Sequence, residues 1–445
     1  MLFNGSGDLI PLYALYALLF ADHGLNTGQI SSLFAIWSTT AFLLEVPSGA
    51  WADTVSRRAL LVLSGVLLTA GFAAWTFLPT YFGFAAGFVL WGASGALQSG
   101  TFEALLYDEL AAQGERAAYP RILGYARAAS EAATVIAIVA ATPLYILGGY
   151  ALLGWSSIAV ATAHTLIALS LPSAPKAVSA ADVDELEDDV AEDDSARPPQ
   201  HSQPVAYLTA IGDVNDRAAV PVDRTAPGSV PPGPFARYLT MLRTGVGEAI
   251  RVRAVRNAVM LEALLFGVTA FDEYFALLAE SVGVSTAVVP LLVGVTVLGS
   301  LAGSMSAGHT EGMAARTMAI AVGVGGLFFV GGALVAGLAV RWPSAVYVLA
   351  GLGFTAIGIS YGIVYNASIV AGARLQDAIE GPARATVTSV SGLASEVVAL
   401  AVFGFAAAAT LWLSMPTTVA LLGATILPIA LVIPSWLPRR PAGPE

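Results

Sequence analysis

The chain has 445 residues, 56% of them hydrophobic and only 11% charged, with no cysteine and a formal net charge of −11. A soluble domain carries about 25% charged residues, so this chain has too few to cover a water-facing surface. Disulfides, thiolate metal sites and cysteine nucleophiles are excluded, and a basic nucleic-acid footprint is absent.

A helix crossing about 30 Å of hydrocarbon needs about 20 apolar residues. In chain order, the apolar blocks predict spans at 5–22, 29–48, 59–78, 81–106, 121–143, 149–171, 257–279, 287–307, 317–340, 345–371, 384–409 and 412–434. The expected fold is all-α and integral to the membrane, with twelve transmembrane helices in two pseudo-symmetric six-helix bundles. The first block follows no basic residue and no small-residue cleavage pattern, so it reads as a retained span. Asp8 and Pro11 interrupt it. The two longest uncharged runs must turn between spans, at Pro143 to Tyr150 and at Thr410 to Pro416.

Orientation follows from lysine and arginine in the short loops. Arg57 and Arg58, Arg116 and Arg121, Arg316, Arg374 and Arg384, and Arg439 and Arg440 all fall on one side, with Lys176 and eight arginines in the 172–256 connection. Of 20 basic residues, Arg341 alone is opposite, and Arg127 lies within a span. Both termini are therefore expected to be cytoplasmic, in a multi-pass protein of the cell membrane.

The expected domains are a first bundle at 1–171, a cytoplasmic linker at 172–255 and a second bundle at 256–445. The linker holds DVDELEDDVAEDD at 182–194, nine of the 31 acidic residues, and PPGP at 231–234. Such composition cannot bury a core. From 235 to 256, Phe235, Leu239, Leu242, Val246 and Ile250 recur at helical spacing, interleaved with Arg237, Arg243, Arg251 and Arg253. That pattern predicts a basic amphipathic helix on the anionic lipids of the inner leaflet.

Faint echoes relate the halves. Adding 254 takes Asp8 to Glu262, Gly49 to Gly303 and Tyr107 to Tyr361, and adding 265 takes Ala-Ser-Glu at 129–131 to the same triplet at 394–396. Repeated bundles with a site at their interface are a common transporter architecture.

Between spans 2 and 3 the sequence reads EVPSGAWADTVSRR at 45–58. It resembles the loop signature of the major facilitator superfamily, Gly-x-x-x-Asp-(Arg/Lys)-x-Gly-(Arg/Lys)-(Arg/Lys), at Gly49, Asp53, Arg57 and Arg58. Thr54 and Ser56 replace the first basic residue and the second glycine. The resemblance implies that Asp53 braces the cytoplasmic end of span 11 when the protein faces outward. Physically, span 11 begins near Pro382, proline suits a first helical turn, and a carboxylate there gains roughly 0.3–1 kcal/mol. Glu45 is assigned to the same gating network, while Arg57 and Arg58 are read individually as topology signals. The matching loop at 303–316 has Ala307 where Asp53 would fall, so one latch is expected. Span 4 lacks an arginine and span 5 a Gly-Pro pair, features that many proton-coupled members carry.

Ionisable residues inside spans cost at least about 2.5–3.5 kcal/mol on insertion scales and are usually paired or used. Glu131 and Glu396 lie near the middle of spans 5 and 11. Glu131 is either a proton site or the partner of Arg127 one turn earlier. Glu396 has no basic residue in its span and is the better single proton-site candidate. Span 7 holds Glu262, Asp272 and Glu273. Glu262 reads as an interfacial partner of Arg256; Asp272 and Glu273 either meet protons or a cationic substrate, or face the outer vestibule. The resemblance puts spans 1, 4, 7 and 10 around a central cavity. Candidates for its wall are Tyr13 and Tyr16, Gln98 and Glu103 along one line of span 4, and Tyr361, Tyr365 and Asn366 in span 10, although aromatic stripes are more often packing. His164 reads as a packing histidine.

No His/Asp metal cluster, nucleophile arrangement or Walker loop is present, so neither an enzyme nor a metal or cofactor is expected. The leading expectation is a monomeric secondary transporter working by alternating access, exporting small amphipathic molecules against protons. Proton-coupled uptake of a metabolite or sugar ranks second, and a non-transporting membrane sensor third.

Overall fold

The computed structural model describes residues 1–173, 252–379 and 384–438. Their regular elements are all helical. The first portion runs α1 (Leu2–Asp8), a 3-10 turn (Pro11–Ala14), α2 (Tyr16–Asp22), α3 (Thr27–Thr54), α4 (Arg57–Phe77), α5 (Tyr81–Gln98), α6 (Thr101–Gln113) and α7 (Tyr119–Leu169). The second runs α8 (Arg253–Gly267), a 3-10 segment (Val268–Tyr274), α9 (Phe275–Ser281), α10 (Val289–Thr310), α11 (Ala315–Leu338), α12 (Val346–Ala378), α13 (Arg384–Ala409), α14 (Met415–Ala424) and α15 (Ile426–Trp436). Most of the linker and the amphipathic stretch expected at 235–256 lie outside the described residues.

Local chemistry sets several boundaries. Asn26 and Gln29 form a reciprocal capping box at the start of α3, both bonds 3.0 Å long, which satisfies two amides that the helix cannot. Ser56 caps α4. Eight helical stretches among the described residues are long and apolar enough to cross a membrane. One of them, Arg116–Leu169, would reach about 80 Å if straight, at 1.5 Å per residue. It instead folds back at Gly148 and Gly149, within the predicted turn, and Gly149 has φ +59°, a conformation that glycine adopts without steric cost.

Four predicted spans are broken, among them the twelfth, at Thr425 between α14 and α15. The first is interrupted by the 3-10 turn after Asp8, and the seventh by the 3-10 segment that carries Asp272 and Glu273. The fourth is split at Gly100, whose φ is +65°. Gln98 and Glu103 therefore do not share one helix line as expected: Gln98 ends α5 and Glu103 begins α6.

The two portions meet along α3 against α13, α7 against α10, and α2 against α9. One aromatic-rich core runs through both, with Phe20, Phe34, Phe84, Phe271, Phe275 and Phe329 fully buried. At the end of the molecule that carries Arg57, Arg116, Arg253 and Arg374, that common core stops. Two separate clusters replace it, one around Phe3, Leu60, Leu105 and Leu123 and one around Val255, Val259, Leu375 and Ile379. The portions are thus joined at the arginine-poor end and parted at the arginine-rich end. Large side chains such as Phe82, Trp412 and Leu431 are more than four-fifths exposed, as lipid-facing surfaces require.

Candidate functional site

The broken first and seventh segments lie against each other where the joined end gives way to the parted end. Breaking a helix here frees backbone and re-aims side chains, the usual device for building a site inside a membrane protein. The Tyr16 hydroxyl, from α2, donates to Glu273 of the 3-10 segment. Next to it, Tyr361 of α12 donates to Asp272 at 2.7 Å, and Ser31 of α3 shares a 2.7 Å hydrogen bond with the Tyr274 hydroxyl. Two turns further along α3, toward the arginine-rich end, Ser38 donates to Glu396 of α13.

Two more acids follow the same rule. Ser130 of α7 donates to Asp8, and Ser391 of α13 donates to Glu262. The faint echo between Asp8 and Glu262 thus acquires a structural meaning: each precedes a broken segment and each is held by a serine of its own portion. Five partly buried acids within the predicted spans have hydroxyl donors as their side-chain partners. A lone carboxylate in a low-dielectric interior is costly, and a hydroxyl offsets only part of that cost because it brings no charge.

Glu131 stands apart. It is exposed in the first leg of α7, with Asp8 and Tyr365 as its electrostatic neighbours. The pairing with Arg127 one turn earlier is not among the salt bridges that join described residues. Glu262 likewise bonds to Ser391 and not to Arg256.

The aromatic candidates separate into two groups. Tyr13 stacks on Trp91 with centroids 5.0 Å apart, and Trp37 stacks on the same indole, also at 5.0 Å. Tyr16 packs edge-on against Phe34 and Phe88. Across the interface, Tyr365 lies 5.9 Å from Tyr361. Asn366 does not join them. Its amide donates to the Gly303 carbonyl and to Ser306, each at 3.0 Å, and its oxygen accepts from Thr310 at 3.0 Å, so it ties α12 to α10. His164 packs as expected, its ring tilted 31° against that of Phe3 and Nδ1 3.0 Å from the Phe3 carbonyl and from Ser6.

In the signature loop, Arg57 is more than a topology signal. It is 3% exposed, forms an ion pair with Asp108 of α6, and donates to the Ala104 carbonyl at 2.9 Å. Arg58 is exposed and reaches the Leu171 carbonyl at 3.3 Å. Gly49 lies within α3 and Glu45 is exposed on it. The Asp53 side chain and residues 380–383, hence the expected latch to span 11, lie outside the described residues.

Sequence reasoning named the acids but missed Ser31, Ser38, Ser130, Tyr274 and Ser391, which hold or adjoin them. It also missed Asp108. A serine in an alanine- and glycine-rich span carries no local signal; only the pairing across 358 residues, in the case of Ser38 and Glu396, reveals its role.

Comparison with known proteins agrees with this architecture. The family model of the Major Facilitator Superfamily matches residues 1–375. A nucleoside transporter, NupG, has a similar structure at TM-score 0.62 and 12% identity, covering 97% of both chains. A D-xylose-proton symporter is similar at TM-score 0.57 and 16% identity, covering 98% of this chain and 95% of the other. A bacterial homologue of the iron transporter ferroportin, in an inward-facing state, gives 0.61 and 14%, covering 98% and 97%. A comparison with curated proteins finds no match.

Proposed function

The chain belongs to the Major Facilitator Superfamily, and from that premise we propose that it is a proton-coupled secondary transporter exporting small amphipathic, cationic molecules by alternating access. The helices group naturally into twelve crossings: the broken first segment, α3, α4, α5 with α6, the two legs of α7, α8 with α9, then α10, α11, α12, α13, and α14 with α15. Residues 1–171 and 256–445 then act as two bundles that rock about their contact, with 172–255 as the cytoplasmic connection and both termini on that side. The arginine-rich end is the cytoplasmic one, so the structure corresponds to the inward-open state.

The observation that carries this reading is the set of membrane-embedded acids whose partners are hydroxyls. Each acid is a place where a proton, or a cationic substrate, supplies the positive charge that its hydroxyl partner lacks. Glu273 and Glu396 matter most, because their donors Tyr16 and Ser38 belong to the opposite bundle. When the outer end opens, these bonds part and both carboxylates meet water; when it closes, they are covered again. Proton loading outside and release inside can thereby drive substrate the other way. The stacked Tyr13, Trp91 and Trp37, facing Tyr361 and Tyr365 across the cleft, offer apolar area and π-faces for an organic cation.

The test is transport in proteoliposomes under an imposed pH gradient, with a panel of amphipathic cations, nucleosides and pentoses. Export of a cation accelerated by inward proton flux, and lost in Glu273→Gln and Glu396→Gln, is the expected result. Movement of a neutral sugar or nucleoside down the proton gradient would replace export by symport. Transport indifferent to pH and to both substitutions would end the proton-coupled reading.

A further inference from the structure

The seam between the two portions opens at a definite level on α7. Ile138, 5% exposed, packs against α10 of the other portion, where a methyl group added at Gly294 would lie 3.3 Å from its Cγ2. Two turns earlier, at about 100° per residue, Glu131 projects from the same face of the first leg of α7, and it is exposed. The same side of α10 is closed at Gly294 and 74% exposed at Met305.

Helix α12 passes this level in the opposite direction. Gly358 sits on the carbonyl of Val295, the neighbour of Gly294, with 2.9 Å between that oxygen and an added methyl group. Tyr365 follows two turns further along α12 and lies within about 20° of the Gly358 face. Glu131 and Tyr365 therefore lie at matching depth, each about 10 Å beyond the closed level toward the arginine-rich end at 1.5 Å per residue. Tyr365 is half-buried beside Tyr361, and its electrostatic neighbours are Glu131 and Asp272. Neither its hydroxyl nor the Glu131 carboxylate has a hydrogen-bond partner among the described residues.

A donor of one portion and an acid of the other thus stand uncommitted at the open inner cleft. They invert the outer contact, in which Tyr16 of the first portion holds Glu273 of the second. A transporter visits both end states, so a bond given up at one end has to be offset at the other. We propose that Tyr365 donates to Glu131 when the inner end closes, so that one tyrosine–glutamate bond between the portions replaces the other in each half-cycle. Glu131, which lacks a hydroxyl partner in the present state, gains one in the other state. This inner latch rests on the alternating-access reading above, and on neither the direction of transport nor the coupling ion.

The chain has no cysteine, so Ile30→Cys supplies a single reporter, buried at the outer recess that Leu277 also lines. In proteoliposomes without substrate or pH gradient, its rate of labelling by a membrane-impermeant maleimide follows the outward-open population. Tyr365→Phe should slow that labelling about tenfold or more, the effect of taking one hydrogen bond to a charged group from that state. Glu131→Ala should slow it as much, and the double variant should be no slower than either. Such non-additivity marks a pair that acts together and is not expected of independent packing roles. Tyr365→Phe should also leave the Tm in detergent unchanged, because the hydroxyl has no partner in the inward-open state; a lowered Tm would show it already engaged there and overturn the latch. Unchanged or faster labelling in either single variant, or slowing that adds in the double variant, overturns it as well. Slowed labelling together with transport indifferent to pH would keep the latch and end the proton-coupled reading, so the two fail separately.

Discussion

Replacing Tyr16 by phenylalanine removes one hydroxyl and leaves the ring against Phe34, Phe88 and Trp75. The lost interaction is the hydrogen bond to Glu273, which in the proposed cycle joins the two portions of the chain only while the outer end is closed. A hydrogen bond to a charged group contributes about 1.5–3 kcal/mol net, and 1.4 kcal/mol is tenfold in an equilibrium constant. The outward-open population should therefore rise about ten- to hundredfold, provided that the bond is absent from that state. Since the chain has no cysteine, single reporters can be introduced cleanly. Leu25→Cys lines a small outer recess of about 430 Å³, and Ala128→Cys lies one turn from Glu131 on the exposed face of α7. Tyr16→Phe should speed labelling of the first and slow labelling of the second. Tyr361→Phe is the control, because its bond to Asp272 lies within one bundle and survives rocking. Equal effects of the two phenylalanine variants, or none from Tyr16→Phe, would refute the assignment of this bond as an outer latch.

Three further outcomes follow from the same geometry. Glu273→Gln and Glu396→Gln should each flatten the dependence of transport on the external pH while leaving substrate binding measurable by direct titration. Arg57→Ala takes the guanidinium away from the buried Asp108 carboxylate, and breaking a buried pair costs about 3–5 kcal/mol; thermal unfolding in detergent should show a clear loss, and Asp108→Asn should recover part of it in the double variant. Gly149→Ala forces a side chain onto φ +59°, ψ −154° between the legs of α7, a conformation essentially reserved for glycine, at a cost of about 1–3 kcal/mol, read as a lowered Tm with transport retained.

The sequence made the apolar crossings, the basic alternation and the membrane acids legible because each is a property of neighbouring residues. Breaks within crossings were harder to see. Pro11 advertises the first, whereas 268–274 contains neither proline nor glycine, so nothing in the periodicity marks the 3-10 segment that re-aims Asp272 and Glu273. The hydroxyl partners were invisible for a different reason: a serine among alanines and glycines is unremarkable until an acid from another helix is brought beside it. Tyr16 and Tyr361 were recognised as candidates for a cavity wall, yet their hydroxyls hold acids. Asn366, grouped with the tyrosines by proximity in sequence, lies on another face of α12 and serves the α10 contact.

What the structure adds is a division among acids that look alike in sequence. Asp8 with Ser130, Glu262 with Ser391, and Asp272 with Tyr361 are pairs within a bundle, and a rigid rocking motion leaves them intact. Glu273 with Tyr16 and Glu396 with Ser38 cross between bundles, so the same motion makes or breaks them. Only a group whose surroundings change between states can couple its proton to the conformational cycle. In the proposed proton-coupled cycle, that argument gives the coupling to the two crossing acids and leaves the other three as the electrostatic background against which they work. Glu396 owes its place to the geometry of its serine partner as much as to the lack of a basic residue in its span. Glu273, which the sequence could not rank above Asp272, is separated from it by the simple fact that its tyrosine comes from the other half.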